Sequence, residues 1–463
     1  MKTIIAALAL LATVCATPAL AKDEEVRREA REIFQKVIAF RTSEGLGQVP
    51  AMAQYLAERF RAGGFPEEDI HILPVGETAS LVVRYRGTGR GGKPILLLAH
   101  MDVVTAKPEE WQRDPFTLIE ENGYFFGRGT LDNKQGVTVL TATFLRLKRE
   151  KFVPSRDLII AFSGDEETGM LTTTDLATKR RDLTDAEFAL NSDDGGGQLD
   201  EKTGKPQYLS FIGAEKVSAT YELTVRNPGG HSSAPRTDNA IYDLADALKA
   251  VQAYRFPVMY NDWTIGSFKA TGPVTAGLLG EAMTRFAANP QDEAAAAAIA
   301  AVPTEVGKTR TTCVATMLKG GHASNALPQT ATATVSCRIF PGTSADDVSA
   351  TLQEVVGKNV AVRSLGHTPA ADASPLRRDV LAAVAKAAHA RYPGLPVVPG
   401  MVPWATDGAI FRAAGLPTYG VSGSFIKASD AFSHGLNERL PVDSFYGELT
   451  HWYVLLKELA GKR

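Results

Sequence analysis

Five residues able to bind a divalent cation, His100, Asp132, Glu167, Asp193 and His434, stand where an apolar run ends or a Gly-rich turn begins. His100 closes the run Leu96-Leu97-Leu98-Ala99, with Asp102 two residues on. Asp132 lies in Gly127-Arg128-Gly129-Thr130-Leu131-Asp132-Asn133-Lys134-Gln135-Gly136, and Glu167 in Gly164-Asp165-Glu166-Glu167-Thr168-Gly169. Imidazole and carboxylate donors without a thiolate suit two divalent ions sharing a carboxylate, an arrangement that is catalytic more than structural. Asp132 is the natural bridge. One ion then takes His100, Asp132 and Asp193, and the other takes Asp132, Glu167 and His434. Asp102 can accept the second N–H of His100 and fix its tautomer. Glu166, beside the ligand Glu167, is placed to act as general base on a water and return the proton to a leaving amine. A single Asp or His at a strand end is usually an ordinary cap, and an acidic triplet is usually a solvated turn. The five together, with Glu166 between a strand and a glycine, read as a site.

The elements that must deliver these residues follow from periodicity. Val26 to Phe40, Ala51 to Phe60 and Val137 to Leu147 carry helical apolar spacing, the last placing Val137, Leu140, Phe144 and Leu147 on one face. Ser80 to Tyr85, Pro94 to Ala99, Asp157 to Phe162 and Ala186 to Leu190 read as strands. Strands alternating with helices imply an α/β fold, a doubly wound mixed sheet whose ligands gather at the carboxyl ends of its strands. Near residue 213 the pattern changes to half-exposed strands (Val217 to Val225, Thr311 to Leu318, Thr330 to Ile339) and two helices, Ala240 to Val251 and Ser344 to Val356. This predicts an inserted α+β domain over 213–365 that divides a catalytic domain into 22–212 and 366–463. Glu293 to Ala301 reads as an exposed helix or extra loop within it. Helix–strand alternation then returns, with Val380 to Ala390, Pro417 to Val421 and Phe445 to Leu459.

A chain of 463 residues, 44% hydrophobic and 22% charged, describes two ordinary globular domains. A formal net charge of −2 offers no electrostatic footprint for nucleic acid or an anionic membrane. Lys2, the apolar run Ile4 to Val14 and Ala19-Leu20-Ala21 describe a cleaved secretory signal over 1–21, too short to span a bilayer comfortably. The expectation is a secreted or periplasmic protein, free of membrane after cleavage. In that compartment Cys313 and Cys337 either pair or remain buried thiols. Gly87 to Gly92 precedes a strand and reads as a turn rather than a phosphate loop, and His71, His322, His367, His389 and His451 lack ligand-spaced partners.

The motifs as a set resemble the metallopeptidase family of aminoacylase, carnosinase, carboxypeptidase G, acetylornithine deacetylase and succinyl-diaminopimelate desuccinylase. The matching stretches are Leu98 to Val104, Gly127 to Gly136, Glu166 to Gly169, Gly229-Gly230-His231-Ser232-Ser233-Ala234-Pro235, and Ser433-His434-Gly435. The resemblance implies a catalytic domain holding two zinc ions, with Co2+ or Mn2+ as substitutes, a cis Asp132–Asn133 peptide, and an inserted lid that often mediates homodimerisation. Residues Asp262 to Thr304 extend beyond the family's shorter lid. A gapless match to carnosinase-like members makes Asp193 the third carboxylate, whereas a match on the following glycines makes it Asp194; Asp193 is preferred. By the same resemblance His231 reaches from the lid, often across a dimer, to the oxyanion of the tetrahedral intermediate. Asn325, Arg338 and Gly423 grip the substrate's carboxylate, with a surface ion pair as the alternative for Arg338.

The expected activity is that of a zinc-dependent exopeptidase of carboxypeptidase or dipeptidase type, cleaving an amide bond beside a free carboxylate. The alternatives are an N-acyl-amino-acid deacylase, which export disfavours, and a catalytically silent peptide-binding homologue, which the presence of Glu166 disfavours.

Overall fold

The computed structural model describes residues 18–461. The first 17 residues of the expected leader lie outside that range, and the first helix, Pro18–Ala39, begins at its last four. In chain order the principal strands are β1 (Ile70–Val75), β2 (Thr78–Tyr85), β3 (Ile95–His100), β4 (Leu158–Ser163), β5 (Phe188–Leu199), β6 (Pro206–Glu215), β7 (Val217–Arg226), β8 (Thr312–Gly320), β9 (Thr330–Ile339), β10 (Ala361–His367), β11 (Val397–Val402) and β12 (Thr418–Ile426).

Eight of them form one mixed sheet in the order β1-β2-β4-β3-β5-β12-β6-β11. Its centre, β4-β3-β5-β12, is parallel, and β2 and β6 run against it. Every residue of β3 and β4 is buried, as expected for apolar runs covered on both faces. The helix Lys134–Arg149 packs between Pro18–Ala39 and Val442–Ala460 and buries Val137, Leu140, Phe144 and Leu147, the face its periodicity foretold. Its first turn presses on β5: a Cβ at Gly136 would stand 2.3 Å from Ser192 Oγ, so only glycine allows the approach.

The lid is a separate four-stranded antiparallel sheet, β8-β9-β7-β10. Alternate residues of β7 and β9 are buried under the helices Ala240–Ala253 and Ala345–Val356, giving the lid its own core around Tyr221, Val335 and Leu352. Cys313 and Cys337 sit directly opposite each other on β8 and β9 and are joined as a disulfide. The range read from sequence as one inserted domain contains two bodies. Residues 262–300 form three helices, and the first of them, Asp262–Thr271, packs on β11 at the edge of the large sheet. The reason is Trp263, whose ring fills the gap left by Gly213 and lies 5.1 Å from the ring of Phe211. Its indole N–H donates to the Ser374 carbonyl at 2.7 Å. Burying such a ring is worth about 3–5 kcal/mol when compared with its loss to alanine, enough to tie the insertion to the sheet. The helix expected at Glu293 to Ala301 is Glu293–Ala300, which buries Ala295 and Ile299 with Phe268 and Phe286 rather than lying exposed.

Candidate metal centre

Three adjacent central strands bring the candidate ligands together. His100 ends β3, Asp193 lies in β5, and the turn after β4 carries Glu166 and Glu167. Asp132 precedes the helix Lys134–Arg149, across a cis Asp132–Asn133 peptide. His434 comes from the loop after β12 and has a left-handed φ of 64°.

His100 is fully buried. Its Nδ1 faces the Asp102 carbonyl oxygen at 3.0 Å, an acceptor only, so the ring proton sits there and Nε2 turns to the carboxylates. Nε2 is 2.9 Å from Asp132 Oδ1 and 3.5 Å from Asp193 Oδ1. The other oxygen of Asp132 lies 3.2 Å from His434 Nε2, which is also 2.9 Å from Glu167 Oε2. Asp132 thus points one oxygen at each imidazole, the disposition required of a bridging ligand. His100 thus faces Asp193, and His434 faces Glu167. Donor atoms of His100, Glu166 and Asp193, and again of His100, Asp132 and Glu167, converge within 4.8 Å of one another. This all-N/O set, with one carboxylate serving both histidines, fits paired divalent cations.

The electrostatics reflect the crowding. Burial, reinforced by neighbouring carboxylates, pushes Glu166 well above the usual carboxylate range and Asp193 up to about 7. Burial acts on Asp132 in the same sense, but its hydrogen bonds to His100 and His434 outweigh it and hold the carboxyl low. Hydrogen bonds to Asp132 and Glu167 raise His434 to about 10, and burial opposes the rise in His100 that Asp193 and Asp102 produce.

Asp102 meets Nδ1 of His100 through its main-chain carbonyl at 3.0 Å and its carboxylate at 3.4 Å. The carboxylate accepts the N–H groups of Glu166 and Glu167 at 3.1 and 3.0 Å, and so sets the turn that aims both glutamates. Of the two adjacent aspartates, Asp193 faces His100, while Asp194 accepts the Gly195 N–H and packs behind Gly420.

Beside these residues opens a cleft of about 730 Å3, lined by Glu166, Met170, Tyr208, Trp404, Ser422, Ser424, Ile426 and, from the lid, Ser218, Arg338 and Thr368. Arg338 donates to Ser218 and forms no ion pair among the described residues, which sets aside the surface-pair alternative. His231 and Asn325 are exposed on the lid and do not line this cleft. The ring of His231 bonds only within its own turn, Nδ1 to Ser233 Oγ at 2.7 Å. Gly423 is not free to receive a substrate: its N–H donates to Glu448 and its carbonyl accepts from Arg391. Its neighbours Ser422 and Ser424 face the cleft instead. Sequence reasoning missed Trp404 and Thr406, although both follow the carboxyl end of β11, where the strand-end rule directs attention. It also missed Asp407, buried and accepting the hydroxyls of Ser163 and Thr173 beneath the Glu166 turn.

Residues 96–458 match the family described as Peptidase family M20/M25/M40. The chain is 29% identical over 393 residues to the N-fatty-acyl-amino acid synthase/hydrolase PM20D1 of Xenopus tropicalis, covering 81% of this chain and 74% of the relative. It is 31% identical over 296 residues to the human protein of that name, covering 62% and 57%. The M20 family metallo-carboxypeptidase Sso-CP2 of Sulfolobus solfataricus shares the fold, with a TM-score of 0.70 at 19% identity over 93% of this chain and 99% of that one.

Proposed function

The chain belongs to peptidase family M20/M25/M40, a family of metal-dependent peptidases and amidohydrolases, and from that membership we propose that it is an exported dizinc exopeptidase of carboxypeptidase or dipeptidase type. The observation that carries the two-metal reading is Asp132, whose oxygens diverge to His100 and His434. His100, Asp132 and Asp193 would hold one ion and Asp132, Glu167 and His434 the other. When bound, the ions polarise the scissile carbonyl and acidify a water molecule. Glu166 takes the proton of that water as it attacks the carbonyl carbon, then delivers it to the nitrogen as the C–N bond breaks. Arg338, unpaired in the cleft, receives the free carboxylate through its planar fork. His231 is assigned to the developing oxyanion once the lid or a partner subunit brings it over the site.

Homodimerisation through the lid is supported by β8, an edge strand that exposes Val314, Met317 and Leu318. The expectation is a dimer by light scattering. Export is supported by the N-terminal pattern and by the Cys313–Cys337 bond, which suits an oxidising compartment.

A second reading, N-acyl-amino-acid hydrolase, is favoured by the first relatives and by the apolar wall that Met170, Trp404 and Ile426 give the cleft. The deciding measurement is a panel of dipeptides, N-acetyl amino acids and N-fatty-acyl amino acids, offered to metal-loaded and chelator-treated protein with metals counted per chain. Turnover confined to the N-acyl compounds would replace the peptidase reading, and turnover surviving full chelation would remove the metal mechanism.

A further inference from the structure

Arg128 and Glu438 form an ion pair at 2.6 Å with side chains 3% and 0% exposed, in a protein whose other ion pairs mostly lie at the surface. Isolating two charges in this way is poor value for stability alone, since an apolar pair of similar volume usually does as well. What the pair does is visible in its remaining bonds. Glu438 Oε1 accepts the N–H groups of Leu131 and Asp132 at 2.7 and 3.0 Å, and Oε2 accepts that of Gly129 at 3.2 Å. The second arm of Arg128 donates to the carbonyls of His434 and Gly435, each at 3.2 Å. Its guanidinium is backed by Trp111, 5.1 Å away. The glutamate therefore grips the main chain of Asp132 while the arginine grips that of His434.

The two half-sites differ in how they are held. His100 and Asp193 lie on β3 and β5, paired strands of one sheet. Asp132 and His434 stand on irregular segments; the nearest pairing, Tyr124–Phe126 with Arg439–Pro441, ends at Phe126 and Arg439, short of both residues. The geometry points to Arg128 and Glu438 as positioning residues that fix the separation of Asp132 from His434, and through it the affinity of the His434 half-site for its cation. Both side chains are buried, and neither lines the cleft.

This inference rests on the two-ion reading above, so the test separates them. Chelator-treated protein is titrated calorimetrically with zinc. Arg128→Lys keeps the buried charge but cannot donate at once to Glu438 and to both carbonyls. It should bind one ion as wild type does and the other about 10–100-fold more weakly, the usual cost of losing a ligand's support. Its kcat should fall while KM holds, and excess zinc should restore much of the rate. Glu438→Gln, keeping one acceptor oxygen, should show the same asymmetry. Wild-type protein that binds fewer than two ions sinks the two-ion reading itself. Two ions in wild type, with both sites weakened equally or neither weakened in the variants, overturns the positioning role. Loss of cooperative unfolding in both variants assigns the pair to folding and overturns it as well.

Discussion

His100 is fully buried at the end of a strand with every side-chain nitrogen engaged, whereas His231 stands exposed on the lid and bonds only to its own turn. The same contrast separates Asp193 from Asn325. The large sheet brings its chemistry into register through strand pairing, so its site is built before any substrate arrives. The lid has an independent core, and among the described residues Arg338 and Ser218 at its base, with Thr368 just beyond its last strand, line the cleft. Preorganisation belongs to the sheet; on the proposed reading, movement or assembly of the lid would supply the rest, a division that suits a reaction needing a fixed nucleophile and an entering substrate.

Substitutions in the two halves should therefore fail in different ways. Asp132→Ala carries the largest effect: hydrolysis and bound metal should be lost together, as elemental analysis and a rate assay would show. Retained turnover would break the whole contrast. Glu166→Gln should keep the metal count and lower kcat about 10^2–10^4-fold, the range of general acid–base catalysis. His231→Ala should lower kcat about 10^2–10^3-fold with an unchanged melting temperature, because an exposed side chain contributes little to folding. An unaffected kcat would confine the chemistry to the sheet. Arg338→Lys should act on KM, raising it roughly 10–100-fold through loss of a charge-assisted fork.

The smallest expected effect leaves activity aside. Burial on the helix Val442–Ala460 lowers His451 from 6.5 to about 4. The unfolded chain takes up that proton near pH 6.5, while the folded chain resists it until about pH 4. Stability present above this window is lost as pH falls through it, by about 3 kcal/mol once the pH is below both values. His451→Gln should flatten the melting temperature across the same interval. A melting temperature that still falls equally across that interval in His451→Gln would remove this assignment.

Much of the fold was legible because covered parallel strands and amphipathic helices announce themselves by composition. Leu96 to Leu98 and Ile159 to Phe162 needed no structure to be read as a sheet centre. The seat of residues 262–300 was not legible, since helical patterning says that an apolar face exists and is silent on which surface receives it. Trp263 meeting Gly213 decided that. In the site, the carboxylate of Asp102 stands beside His100 as its spacing suggests, but that its main-chain carbonyl lies nearer still was not legible, because residue type does not reveal main-chain orientation. Gly423 was misjudged for a related reason: a main-chain donor looks available in sequence whether or not a buried Glu448 has already claimed it.

The chain order and residue types alone determined that five nitrogen and oxygen donors, a spare glutamate and a lid histidine would be present, because ligand chemistry resides in the side chain and its motif. Tertiary structure alone decided that the two oxygens of Asp132 diverge toward His100 and His434, and that Arg128 and Glu438 clamp the segments bearing Asp132 and His434 together. Those relations join residues far apart along the chain, and only packing of the sheet with its returning C-terminal segment brings them within hydrogen-bond reach.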